Sequence, residues 1–135
     1  MGCCGWNAVH KTPTVPRVAP PSEPRHLIAL HRAHAEVALM EATAGRPLCR
    51  VEGPDTEPVK RAEGRLAAIA ELERSLRAAG ADPRQAAAEF VERWEEERGR
   101  VAARGAAWEA YHAGGIAELE TVARELDAPS YGAAL

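Results

Sequence analysis

Core-facing positions in residues 82–112 recur by alternate fours and threes, through Ala87, Val91, Trp94, Arg98, Val101, Gly105, Trp108 and His112. A seam with this 3.5-residue spacing marks a helix that packs lengthwise on others. Asp82-Pro83-Arg84-Gln85 opens it with an acceptor at the N-cap, proline at N1 and glutamine at N3. The remaining faces carry Glu89, Glu92, Arg93, Glu95, Glu96, Glu97 and Arg100. One helix cannot bury such a stripe alone, so the rest of the chain must supply partners. Trp94, Val101 and Trp108 are expected to point inward together, against leucines of the two preceding helices. Gly114-Gly115 is expected to break or kink this long helix.

Two helices precede it. Ser22 is a capping residue, with Glu23 and Pro24 in the first turn behind it. The first stripe runs through Leu27, Leu30, His34, Val37 and Glu41, widened by Ile28, Leu39 and Met40. It should stop near Ala44, because Gly45 suits a left-handed C′ position and Pro47 forbids continuation. Residues 48–53 read as an extended connector, with Leu48 and Val51 placed to tuck against the helices. Pro54-Asp55-Thr56-Glu57-Pro58 is a start signal for the second helix. Its stripe is Val59, Ala62, Leu66, Ile69, Leu72 and Leu76, and Gly80 ends it. Gly64 costs this helix about 1 kcal/mol relative to alanine. Room for a neighbouring backbone is a plausible return.

The short link after Gly80 makes the second and third helices antiparallel neighbours. Gly99 and Gly105, with Ala102, Ala103, Ala106 and Ala107, give the third a small-residue middle that another helix could approach. A short fourth helix, residues 116–126, places Ile116, Leu119, Val122, Ala123 and Leu126 on one side, and Pro129 closes it. The expectation is an all-α protein: an antiparallel helical bundle of three main helices plus a short fourth. The bundle domain spans residues 22–128, and residues 129–135 form a C-terminal tail with Tyr131 and Leu135 as docking groups.

Residues 1–21 are different. Pro13, Pro16, Pro20 and Pro21 exclude a helix and favour an extended, polyproline-like N-terminal arm. Such an arm is either solvated or ordered against a neighbour, with Trp6 as its anchor and Val9 beside it.

Composition narrows the rest. With 135 residues, 46% of them apolar but only 4% aromatic, one domain with a modest, alanine-rich core is expected. Arginine and alanine with almost no lysine suggest a GC-rich bacterium or its phage. The net charge of -3 gives no basic footprint for nucleic acid. No window approaches the ~18 apolar residues of a membrane span, and no signal peptide opens the chain. The expected location is the cytoplasm, or the virion if phage-encoded.

The chemistry-bearing groups are few. Met1-Gly2-Cys3-Cys4 has the look of a dual-acylation start, but Trp6 stands where that motif wants serine or threonine. Cys3, Cys4, His10 and Cys49 lack the two-to-four-residue spacing of structural zinc ligands. His31 and His34 share a helix face near His26, yet lack the zinc-protease pattern; His34 reads as the one at the bundle boundary. Arg98 falls on the seam, where a lone cation would be costly. It must pair with an acid such as Glu41 or Glu73, turn outward, or meet another chain; pairing within the bundle ranks first. Gly114-Gly115 lacks the lysine and strand of a nucleotide loop, and no serine sits in a nucleophile elbow.

The sequence therefore points to a non-catalytic protein–protein interaction or assembly module, without cofactor or metal, acting on a protein partner or on itself. Trp6, Val9, Arg98 and Tyr131 are the expected contact residues. Two alternatives are a lipid-anchored membrane adaptor acylated at the N-terminus, and a small metal-binding or enzymatic domain using His26, His31 and His34.

Overall fold

A computed structural model describes residues 23–128, and the regular elements among them are α-helices and short 3-10 turns. The helices are α1 (Pro24–Thr43), α2 (Thr56–Ser75), α3 (Pro83–Val101) and α4 (Ala106–Asp127). Their lengths are 20, 20, 19 and 22 residues, so the fourth is the longest rather than a short appendix. The long helix expected over residues 82–112 breaks earlier than its pattern suggests. After Val101 the chain makes a 3-10 turn over Ala102–Arg104, then passes through Gly105 at φ 115, ψ 173. Only glycine takes that conformation without strain. Gly114 and Gly115 lie inside α4 and break nothing.

Consecutive helices run antiparallel. Arg32 reaches Glu73 across the α1–α2 pair, and Glu97 lies beside His112 across α3–α4. That order leaves α2 and α4 pointing the same way, on a diagonal. They nevertheless form the most extensive contact in the molecule. α1 lies on α2, α3 lies on α4, and the sequence neighbours α2 and α3 meet only slightly. The bundle is flattened along its short diagonal.

Three glycines cause the flattening. A Cβ on Gly64 would overlap the Tyr111 carbonyl oxygen, and one on Gly114 would overlap the Arg61 carbonyl oxygen. A Cβ on Gly115 would strike the Trp94 indole and stand 3.1 Å from the Gly64 carbonyl oxygen. The room that Gly64 was expected to leave is thus filled by the backbone of α4. The alanine-rich middle of residues 99–107 is not where a helix approaches. Gly99 faces open space, and Ala102, Ala103 and Ala106 are exposed.

The core is built as the second and fourth stripes require. Val59, Ala62, Ile69 and Leu72 of α2 and Leu76 just after it are buried, with Ile116, Leu119, Val122 and Leu126 from α4; Leu66 and Ala123 are half-buried against them. Trp94 and Val101 are buried from α3, but Trp108 is 47% exposed, because the turn at Gly105 restarts the helix in a new phase. α1 is also rotated from its expected stripe. It buries Leu27, Ile28, Ala35 and Thr43, while Leu30, Val37 and Met40 remain 40%, 53% and 69% exposed. Polar contacts set this rotation. Arg25 donates to the Leu76 carbonyl, Arg32 to Glu73, and His31 reaches α4.

Local signals behave as the sequence implies at several ends. The Asp82 carboxylate accepts from the Arg84 N–H at 3.3 Å, capping α3. Gly45 and Gly80 have φ of 75° and 79° after α1 and α2. Ala44 joins Gly45 in the left-handed region at φ 52. Ser22, expected to cap α1, lies outside the described residues, and Glu23 makes no side-chain cap there. The connector after α1 is two 3-10 turns, Leu48–Arg50 and Gly53–Asp55, rather than an extended run. Val51 is half-buried, but Leu48 is 48% exposed. No helix among the described residues is long and apolar enough to cross a membrane.

The glycine contact makes a paired prediction. Gly64→Ala must push two backbones apart and is expected to cost on the order of 3 kcal/mol. Gly99→Ala meets nothing and gains helix propensity, so it should stabilise by about 0.5–1 kcal/mol. Urea denaturation followed by circular dichroism would separate them, and equal midpoints for the two variants would contradict the packing described.

Candidate functional site

Three groupings of side chains stand out, and each is placed by a different part of the fold. The first is a polar relay that ties α1 to the diagonal pair. His31 Nδ1 lies 2.7 Å from Glu118 Oε1, and His31 Nε2 lies 2.6 Å from Glu125 Oε2. Arg65 Nε donates to the other Glu118 oxygen at 2.8 Å. A ring with a carboxylate on each nitrogen is satisfied only when both nitrogens carry protons, so His31 is held as imidazolium. The hydrogen bond to Glu118 raises the His31 pKa above its ordinary 6.5; burial opposes it, and the Glu125 contact adds to it. Burial would push the Glu118 carboxyl up, but hydrogen bonds from His31 and Arg65 more than offset this, and its pKa lies below the ordinary range.

The relay is not a metal-ligand set. The two carboxylates approach opposite ring nitrogens, so the donors of His31, Glu118 and Glu125 do not converge on one point. Among the described residues no group of three or more His, Cys, Asp or Glu side chains could hold an ion. The three histidines of α1 part company. His31 is the inward one, His34 is exposed rather than at the bundle boundary, and His26 is half-buried.

The second grouping is aromatic and sits where α3 turns into α4. Trp94 stacks on Tyr111 with ring centroids 5.6 Å apart, over the gap that Gly115 leaves. Its indole N–H donates to Glu71 at 3.0 Å. Trp108 meets the edge of Tyr111 at 6.0 Å from the solvent side. The two indoles are therefore neighbours of one tyrosine, one inside and one outside. His112 is buried between them and donates Nδ1–H to the Trp108 carbonyl at 2.9 Å. Desolvation raises the Tyr111 pKa, helped by the charges of Glu71, Glu63 and Glu97. Lys60, Ala107, Trp108 and Tyr111 line a half-open hollow of about 250 Å³. Lys60 Nζ forms an ion pair with Glu63 Oε2 at 2.8 Å.

The third is the outer face of α1. Leu30, Ala33, Val37 and Met40 form an exposed stripe on the side opposite Ile28 and Ala35. The sequence pattern places Leu30, Val37 and Met40 in the core stripe; instead they are three of the exposed large apolar residues among those described, beside Leu48 and Trp108.

Of the expected contact residues, Arg98 is described and is bound within the chain. Its Nε donates to Glu109 at 2.8 Å, and a second guanidinium nitrogen meets the same oxygen. The pairing is internal as ranked, though the acid is neither Glu41 nor Glu73. Trp6, Val9 and Tyr131 lie outside the described residues, as do Cys3, Cys4 and His10; Cys49 is an exposed free thiol. No protein family, curated protein or solved structure matches this chain.

The relay has a pH signature with a fixed sign. A histidine whose folded pKa is raised contributes fully below its ordinary 6.5, and the contribution fades as pH climbs through the folded value. A carboxylate whose folded pKa is lowered contributes above its ordinary 4.5 and fades on acidification. His31→Gln should therefore lose on the order of 1–2 kcal/mol at pH 6, where both charges are present. The gap between wild type and variant should narrow towards pH 9 in urea melts. A gap independent of pH would contradict the relay.

Proposed function

We propose that this chain is a non-catalytic protein–protein interaction or assembly module, a small structural or adaptor protein of a GC-rich bacterium or its phage. The observation that carries the reading is the outer face of α1. Leu30, Val37 and Met40 present aliphatic surface to solvent on a helix whose opposite side is already packed. Single exposed apolar residues are ordinary, but a contiguous stripe along one helix marks a surface meant to be covered. Exposed Leu48 and Trp108 add large apolar groups elsewhere, and tryptophan is enriched where proteins bind one another. The polar groups that look most like chemistry, His31 with Glu118 and Glu125, spend both ring nitrogens on holding helices together. They leave no free base to act on a substrate. Arg98, bound to Glu109, has a reduced claim as a contact residue, whereas Trp6 and Val9 keep theirs from sequence.

The expected test result is a loss of association without a loss of fold. A Val37→Glu, Met40→Glu double variant should keep its helicity and melting temperature, since both side chains are exposed. In cross-linked pull-downs from the host it should lose a partner, a further copy of the chain included, that wild type retains. Trp6→Ala should weaken association as well, with helicity unchanged. Identical captured proteins and identical oligomeric state for wild type and double variant would overturn the reading.

A further inference from the structure

We infer that the outer face of α1 is covered by the same face of a second copy of this chain, running antiparallel across a two-fold axis. The inference rests on the interaction reading above and names its occupant. His26, Leu30, Ala33, Val37 and Met40 of α1 follow one another at intervals of alternate fours and threes. That interval lets one straight helix lie along another over several turns, so the surface is shaped for a helix with the same repeat. Its own sequence is such a partner. In antiparallel register Leu30 meets Met40 of the second copy and Ala33 meets Val37. The same two layers then recur by symmetry beyond the axis. The small layers fall at the centre and the large ones at the ends, so the helices approach closely at the waist and fill the space on either side. An isologous contact of this kind closes on itself as a dimer.

Flanking charges choose the direction. One side of the stripe carries His34 and Glu41, and the other carries Ala29 and Glu36. Antiparallel pairing sets His34 between His34 and Glu41 of the second copy, where an imidazole N–H can donate to the Glu41 carboxylate. Parallel pairing would set Glu36 beside Glu41, twice, with like charges facing. On the other antiparallel flank Glu36 faces Ala29 and Glu36 of the second copy. Arg32, 3.2 Å from Glu36, is shared with Glu73, so this one like-charge contact remains in the antiparallel pair, against two in the parallel one. The charge pattern thus penalises the parallel orientation more, and only the antiparallel one brings His34 to Glu41.

Cysteine cross-linking reads the register directly. With Cys3, Cys4 and Cys49 changed to serine, Ala33→Cys and Val37→Cys are made separately in the full chain; both sites are exposed, so folding should be kept. On oxidation, disulfide dimers should form mainly when the two variants are mixed, because only that pairing brings their Cβ atoms within bonding range. Sedimentation velocity should show a dimer that dissociates on dilution and is lost in Val37→Glu. Efficient dimers of each variant alone would mean parallel pairing and would overturn the inference. So would a monomer at concentrations up to about 1 mM, or a dimer that appears only after residues 1–22 are removed. In that last case the chain's own N-terminal segment occupies the face. Failure on any of these grounds leaves the broader reading standing if the Val37→Glu, Met40→Glu variant still loses a captured partner, and removes it if nothing is lost.

Discussion

Carbonyl oxygens of α2 and α4 occupy the places where side chains would ordinarily separate two helices. Gly64 accepts the backbone of Tyr111, Gly114 accepts that of Arg61, and Gly115 makes space for the Trp94 ring. Each glycine weakens its own helix by about 1 kcal/mol relative to alanine. Close-packed backbone surface, with many small dispersion contacts, is what offsets that loss. Once the diagonal pair is drawn together, the other two helices can no longer face each other across a core. They are displaced to opposite flanks, α1 beside α2 and α3 beside α4. One large residue then fills the remaining step. Trp94 lies on Gly115, stacks on Tyr111 and hands its N–H to Glu71.

α1 is held by a different balance. Its buried apolar side chains are few, Leu27, Ile28 and the small Ala35, so hydrophobic burial leaves its rotation weakly specified. The polar bonds of Arg25, His31 and Arg32 supply the missing direction, each reaching α2 or α4. Turning the helix to satisfy them carries Leu30, Val37 and Met40 to the outside. The relay and the exposed stripe are two results of one orientation, and the second exists because the first is strong enough to decide it.

Much of the architecture was legible in the chain. The apolar repeats of α2 and α4, the Asp82 cap, the glycine after each of the first two helices and the space beside Gly64 all follow from local rules. Three things did not. The break at Gly105 was hidden because the fours-and-threes pattern runs on unbroken through Trp108 and His112. Gly114-Gly115 looks like a breaker to any rule that scores propensity along the chain, since the carbonyls that make glycine necessary belong to a helix some fifty positions earlier. The face of α1 was misjudged because Leu30 and Val37 weigh the same as Leu27 and Ile28 in a stripe. The acids that turn His31 inward lie 87 and 94 residues away in sequence. The Glu109 partner of Arg98 was invisible for the first reason: in one continuous helix the two would be three turns apart.

The glycine saddle also sets how far such a sequence can drift. Aliphatic core positions tolerate exchange of one branched side chain for another, and the surface glutamates and arginines tolerate more. Residues 64, 114 and 115 tolerate almost nothing, because any added carbon meets a main chain or an indole. A distant cousin with no recognisable stretch in common would still be obliged to carry a lone glycine in its second helix and a glycine pair in its fourth. Ancestry in this lineage would be written in the residues that have no side chain at all.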